Sequence, residues 1–96
     1  MKMDSPMTMV FTYDIVRART RRRVAKLLED EAVRVQKSVF EARMSRKAAI
    51  RLFKRLTMHL DDGDSLRMYA LSRTGLRHSQ AYGGAPIPED GEYWLL

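Results

Sequence analysis

The spacing of apolar and polar residues predicts that the chain begins with a strand followed by a helix. Residues 9–15 are rich in β-branched and aromatic side chains, which is typical of a strand with a buried face. Met9, Phe11 and Tyr13 share one face of this strand, because successive side chains point to opposite sides. From about Thr20 to Glu31 the apolar period lengthens to that of an amphipathic helix with an arginine-rich outer face.

The following residues add two short strands, a second helix and another strand. Residues 33–44 predict two short strands or one bent strand, with an interruption at residues 37–38. Ser45 is a typical N-cap for an amphipathic helix that reaches about Leu60. Residues 65–71 alternate between apolar and polar positions as a strand does. The order β-α-β-β-α-β is that of a ferredoxin-like α+β sandwich.

This order divides the chain into a core and two flanking parts. The ferredoxin-like domain is expected in residues 9–72, after an N-terminal extension of residues 1–8. Residues 73–91 hold most of the glycines and are expected to form a loop. The apolar residues 92–96 predict a C-terminal strand that pairs with the sheet of a second copy, which implies a homodimer. The alternative is a strand that folds back on the chain's own sheet.

Length and composition fit one small intracellular domain. The chain has 96 residues, of which 45% are hydrophobic and 31% charged. It has no cysteine, which excludes disulfides, thiolate metal sites and cysteine nucleophiles. No apolar run approaches the ~20 residues that span a bilayer, and nothing at the start resembles an export signal. A cytoplasmic location is expected.

Positive charge is concentrated in the middle of the chain. The net charge is +6, and residues 17–55 carry fourteen Lys or Arg against four Asp or Glu. Thirteen of the eighteen basic residues are arginines, the side chain best suited to bidentate phosphate contacts. This distribution indicates a polyanionic partner such as nucleic acid, although a basic surface can also serve solubility alone.

Asp14 is the strongest candidate for chemistry. It ends the first strand and precedes residues 17–23, of which five are arginines. A carboxylate facing this charge suits Mg²⁺ and a phosphate substrate. The structural alternative is an aspartate that caps the next turn or pairs with Arg17 or Arg21. One carboxylate makes a poor Mg²⁺ site, which a dimer with both Asp14 side chains near its axis would complete. The aspartates of residues 61–64 indicate only a solvated turn.

Four blocks of sequence, in a fixed order from about Met9 to Leu71, resemble a known family. The blocks are Tyr13-Asp14-Ile15, Arg21-x-Arg23-Val24-x-Lys26-x-Leu28, Arg34-Val35-Gln36-x-Ser38-Val39-Phe40-Glu41 and Asp64-Ser65-Leu66-Arg67-x-Tyr69. Together they resemble the CRISPR-associated protein two family. The chain departs from the family pattern at residues 31–32, where a glycine is often found, and after Leu71 the likeness is loose.

The resemblance implies a ferredoxin-like homodimer that cleaves nucleic acid. Family members are described as metal-dependent endonucleases acting on single-stranded RNA or double-stranded DNA. Asp14 matches the catalytic aspartate that holds Mg²⁺, or Mn²⁺ in its place, from each protomer. Matching positions imply residues that assist at or near the site, namely Tyr13, Arg21, Arg23, Arg34 and Phe40. The neighbouring Arg17, Arg19 and Arg22 are expected, with Arg34 and Phe40, to bind nucleic acid.

The family's biological role implies a protein partner and leaves two functions open. Its dimer bridges two dimers of the CRISPR integrase subunit, CRISPR-associated protein one, and supports the DNA that is captured as a new spacer. The chain is therefore expected to be a Mg²⁺-dependent nuclease or a non-catalytic DNA-binding scaffold of the adaptation complex. A toxin-like messenger RNA interferase of related shape is a third hypothesis.

Overall fold

Residues 5–84 and Ile87 are described by the computed structural model, and they form a four-stranded antiparallel sheet with helices. The elements, in chain order, are β1 (Met7–Asp14), α1 (Ala18–Glu29), β2 (Val33–Gln36), β3 (Val39–Met44), α2 (Arg46–Thr57), β4 (Ser65–Leu71) and α3 (Arg73–Arg77). The strands lie in the order β2-β3-β1-β4, and every neighbouring pair is antiparallel. This confirms the predicted ferredoxin-like α+β fold. Among the helices of the described residues, none is long and apolar enough to cross a membrane.

One face of the sheet is buried against α1 and α2. Met9, Phe11 and Tyr13 of β1 are buried together, as their alternation predicts. They pack in a single cluster with residues of β3 and both long helices, namely Val24, Leu28, Phe40, Leu52 and Leu56. Full burial of such a side chain stabilises the fold by ~1.5–3 kcal/mol. Because β1 is a central strand of this packed core, the residues at its end are held in place by a rigid element.

The predicted interruption at residues 37–38 is a tight turn between two separate strands. Arg34 pairs with Phe40 and Gln36 pairs with Val39, so Val35 is an extra residue on β2. Such a β-bulge bends the strand and changes the direction of the side chains next to it. Arg34 keeps the same register as Phe40 and therefore faces the helices.

The structure differs from the sequence prediction at several boundaries. β1 begins at Met7, which pairs with Met44, so the predicted extension of residues 1–8 and domain start at residue 9 are displaced by two residues. α2 ends at Thr57 rather than near residue 60. The loop predicted for residues 73–91 is wrong for its first part, because α3 forms there. Ser72 caps α3 by accepting a hydrogen bond from the Gly75 N–H at 3.0 Å. The predicted strand at residues 92–96 lies outside the described residues.

Candidate active site

Asp14 ends β1 with an exposed carboxylate that has no partner in the described part of the chain. Its side chain forms no hydrogen bond or ion pair within residues 5–84 and Ile87. Arg17 and Arg21, the two arginines predicted as structural partners of Asp14, contact other groups. Arg17 lies 3.5 Å from the carboxylate of Asp61, and Arg21 Nη1 donates to the carbonyl oxygens of residues 15–16 at 3.0 and 2.9 Å. Asp14 is therefore available to a ligand.

Asp64 performs the structural role that the sequence left open for Asp14. Its two carboxylate oxygens accept hydrogen bonds from the Asp61 N–H at 2.9 Å and the Val16 N–H at 3.1 Å. These backbone hydrogen bonds hold the pKa of Asp64 below its ordinary value of 3.8. They also fasten the β1–α1 connection to the turn before β4. Sequence reasoning missed this contact, because its partners are 48 residues apart.

A groove of about 920 Å³ lies beside Asp14, between the end of β1, α1 and the β2–β3 turn. Five cationic side chains line it against two carboxylates, those of Asp14 and Glu29. The cations are Arg21, Arg22, Lys26, Arg34 and Lys37. This lining attracts phosphate groups, and its excess of arginine suits the phosphates of a nucleic-acid strand.

Tyr13, which lines the groove, stacks on a second aromatic ring in the core. The ring of Tyr13 stacks on Phe40 at 6.2 Å between centroids, and its hydroxyl donates to the carbonyl oxygen of Lys37 at 3.2 Å. The guanidinium of Arg34 lies 5.1 Å from the centre of the Phe40 ring and 3.6 Å from the carboxylate of Glu29. Phe40 is 0% exposed, which is incompatible with the predicted direct contact with nucleic acid. In this arrangement Phe40 positions Arg34.

The helical geometry of α1 separates the predicted site residues into two groups. Tyr13, Asp14, Arg21, Arg22 and Arg34 meet in the groove. Arg19 and Arg23 lie on the other flank of α1, where they line a second pocket with Thr20 and His59. Consecutive helical residues are rotated by ~100°, so Arg22 and Arg23 point to different flanks. Arg23, which was expected to assist catalysis, is thus separated from the groove that contains Asp14.

The carboxylate of Asp14 can serve as one ligand of a magnesium ion, but the described residues around it do not form a full cluster of ligands. Within the described residues no group of three or more His, Cys, Asp or Glu side chains could hold a metal. Mg²⁺ in phosphate-processing sites is bound by one or two carboxylates, with waters and substrate phosphates as the other ligands. Asp14 is one such carboxylate beside a groove suited to phosphate. Of the nearby described carboxylates, Asp64 already accepts two backbone hydrogen bonds, and Glu29 lies 3.6 Å from Arg34.

Comparison with known proteins agrees with this geometry and identifies the family. A protein from Synechocystis sp. named CRISPR-associated endoribonuclease Cas2 3 is 40% identical over 79 residues, which are 81% of this chain and 86% of that protein. A Chloroflexus aurantiacus protein of the same name is 38% identical over 88 residues, covering 91% of this chain and 95% of its own. The crystal structure of Streptococcus pyogenes Cas2 at pH 6.5 superposes with a TM-score of 0.69 at 34% identity, covering 80% of this chain and 100% of that one. The family model of CRISPR associated protein Cas2 matches residues 7–78, and the chain belongs to this family.

Proposed function

We propose that this protein is a Mg²⁺-dependent endonuclease of CRISPR adaptation that cleaves phosphodiester bonds in nucleic acid. The observation that carries the proposal is the exposed carboxylate of Asp14, which has no partner among the described residues. It lies at the end of a rigid strand, beside a groove lined by five cations. The names of the relatives, which are endoribonucleases, support nuclease activity. Single-stranded RNA and double-stranded DNA are the two candidate substrates.

Each residue of the groove has a role that follows from its chemistry. Asp14 holds the metal ion, which when bound supplies a Lewis acid for the phosphate and an activated water. Arg22 and Lys26 bind the phosphates of the strand. Arg21 is a positioning residue, since it donates to the carbonyl oxygens that follow Asp14.

A homodimer supplies the second carboxylate in this proposal. Two copies related by a two-fold axis bring the same residue of each chain to the axis, so a single contact surface doubles the number of ligands. With Asp14 from each copy near the axis, two carboxylates would be available to hold one ion. The absence of a ligand cluster among the described residues supports this arrangement.

The biological partner in this proposal is the CRISPR integrase subunit, CRISPR-associated protein one. Membership of the Cas2 family supports it. The dimer would bridge two integrase dimers and hold the DNA to be captured as a new spacer. Copurification of the two proteins from one cell, with and without a short duplex, tests the assembly.

A non-catalytic scaffold is the second candidate function. Cations lie on both flanks of α1, which favours binding of a nucleic-acid backbone whether or not a bond is cut. In that case Asp14 has no catalytic role, and the basic surface holds DNA for the integrase.

The decisive experiment compares Asp14→Asn with Glu29→Gln on labelled RNA and duplex DNA. Both variants remove one carboxylate from the same groove, but only Asp14 is proposed to hold metal. We expect wild type and Glu29→Gln to cleave with Mg²⁺ and to stop with EDTA, while Asp14→Asn stays at the EDTA level and still binds. Equal cleavage by wild type and Asp14→Asn contradicts the proposal. Tight duplex binding without cleavage by any of the proteins supports the scaffold.

A further inference from the structure

The second pocket, of about 230 Å³, lies where α1 meets the residues after α2. Arg19, Thr20 and Arg23 contribute one wall, and His59 contributes the other. Arg19 and Arg23 are four residues apart on α1, so their side chains are neighbours on one flank. The pocket is thus separate from the groove at Asp14, which takes up the opposite flank.

The two arginines of this pocket carry positive charge that no carboxylate of the described residues compensates. Neither guanidinium forms a hydrogen bond or ion pair within the described residues, and both side chains are exposed. Other arginines near the two long helices do meet carboxylates, such as Arg34 with Glu29 and Arg55 with Glu31. Two like charges four residues apart destabilise a helix slightly, so their neighbouring position favours an anion between them.

We propose that Arg19, Arg23 and His59 form a second phosphate-binding site, distinct from the groove at Asp14. Two guanidinium groups and an imidazole offer several N–H donors to the oxygens of one phosphate, and guanidinium matches phosphate geometry well. The phosphate belongs to a nucleic-acid strand, either within its backbone or at a 5′ end. The inference rests on the proposed nucleic-acid binding and adds a contact on the far flank of α1.

Histidine ring signals in NMR give a readout that does not depend on cleavage. The chain has two histidines, His59 in the pocket and His78 at the end of α3, so the variant His59→Gln assigns both signals. A short DNA duplex is added in EDTA, once with a 5′-phosphate and once without. We expect the His59 signal to shift and the His78 signal to stay. A shift with both duplexes assigns a backbone phosphate to the site, whereas a shift with the phosphorylated duplex alone assigns a strand end.

Two double variants on the same helix separate local contact from overall charge. Arg19→Gln/Arg23→Gln removes the second pocket's cations, and Arg22→Gln/Lys26→Gln removes the same charge from the opposite flank. We expect the first variant to abolish the His59 shift, and the second to keep it at saturating duplex. The first should also lower the salt dependence of binding, log Kobs against log salt, by about one phosphate contact, or ~0.9 in slope. Circular dichroism verifies that both variants are folded.

The outcomes distinguish failure of the second site from failure of the proposed function. Duplex binding by wild type without a His59 shift overturns the second site and leaves the proposed function intact. A His59 shift that persists in Arg19→Gln/Arg23→Gln also overturns it. Failure of the wild type to bind either duplex DNA or single-stranded RNA contradicts the proposed function itself, and the second site with it.

Discussion

Asp14 and Asp64 lie near the same strand end, and their hydrogen bonding gives them different roles. The carboxylate of Asp64 accepts two backbone N–H groups, whereas that of Asp14 accepts none within the described residues. A carboxylate with two backbone donors is held in one geometry, and a free one can exchange water for a metal ion or a cationic group. The sequence located Asp14 from its position after an apolar strand. The sequence left open whether Asp14 instead caps a turn or pairs with an arginine, because the residues that decide this lie in a distant turn.

Replacement of Asp64 by Asn tests its structural role through pH dependence. The asparagine amide can accept one of the two N–H groups but lacks the charge that both stabilise, so we expect a lower Tm at neutral pH. Since the pKa of Asp64 is lowered in the folded state, its contribution is present above the ordinary value of 3.8. It is lost as the pH falls through the folded-state pKa. The difference in Tm between wild type and variant should therefore shrink below about pH 4.

Thermal unfolding followed by circular dichroism, between about pH 3 and pH 7, measures this difference. Asp62→Asn is the matched control, because Asp62 is exposed in the same turn and forms no hydrogen bond within the described residues. We expect the control to follow the wild type. A Tm difference for Asp64→Asn that is constant over the whole pH range would show that its charge does not stabilise the fold.

At the scale of elements, periodicity identified both long helices and the stretches that form strands, although it left residues 33–44 as two strands or one bent strand. It did not show which flank of α1 each arginine occupies. The spacing of Val24 and Leu28 in the sequence is enough to predict the buried face of α1. The functional distinction between Arg22 and Arg23 depends on what lies beside each flank, namely the β2–β3 turn or the end of α2. Those neighbours follow from the packing of elements, which no local pattern encodes.

α3 was missed because its determinants are short and local. A five-residue helix buries no side chain, so it carries no apolar period, and its glycine argues against a helix. The sequence signal for this helix is its N-cap, because Ser72 lies three residues before Gly75 and its Oγ can accept the Gly75 N–H. The same geometry at Ser45 caps α2, where the Oγ accepts from the Ala48 N–H at 3.0 Å.

The two caps make a matched pair for measurement. Ser45→Ala removes the cap of a twelve-residue helix that buries Leu52 and Leu56, so we expect a loss of about 1 kcal/mol in the free energy of unfolding. Ser72→Ala removes the cap of a helix with no buried side chain, so we expect global unfolding to be unchanged. Urea denaturation measures both. Equal losses in the two variants would show that α3 belongs to the cooperative core.

At the scale of the whole molecule, the order of elements predicted the fold, and the distribution of charge predicted a basic surface. The sequence did not predict that this surface is divided by α1, although it did predict that Asp14 alone makes a poor Mg²⁺ site. The register of β1 against β4 places Asp14 opposite Ser65. The residue before Ser65 is Asp64, whose carboxylate already accepts a backbone hydrogen bond from Val16. A second carboxylate for a metal ion is thus absent from the neighbouring strand end, and the proposed dimer becomes part of the chemistry.

Mixed dimers test whether one metal site is shared between two chains. When wild type and Asp14→Asn are denatured together in equal amounts and refolded, random pairing leaves about a quarter of the dimers with both Asp14 side chains. A shared site therefore predicts about a quarter of the wild-type cleavage rate per total protein, whereas independent sites predict about a half. The same mixture made with Glu29→Gln should keep nearly the full rate, and size-exclusion chromatography verifies that each mixture is dimeric. A rate near one half, or a chain that stays monomeric while it cleaves, would mean that each copy carries a complete site of its own.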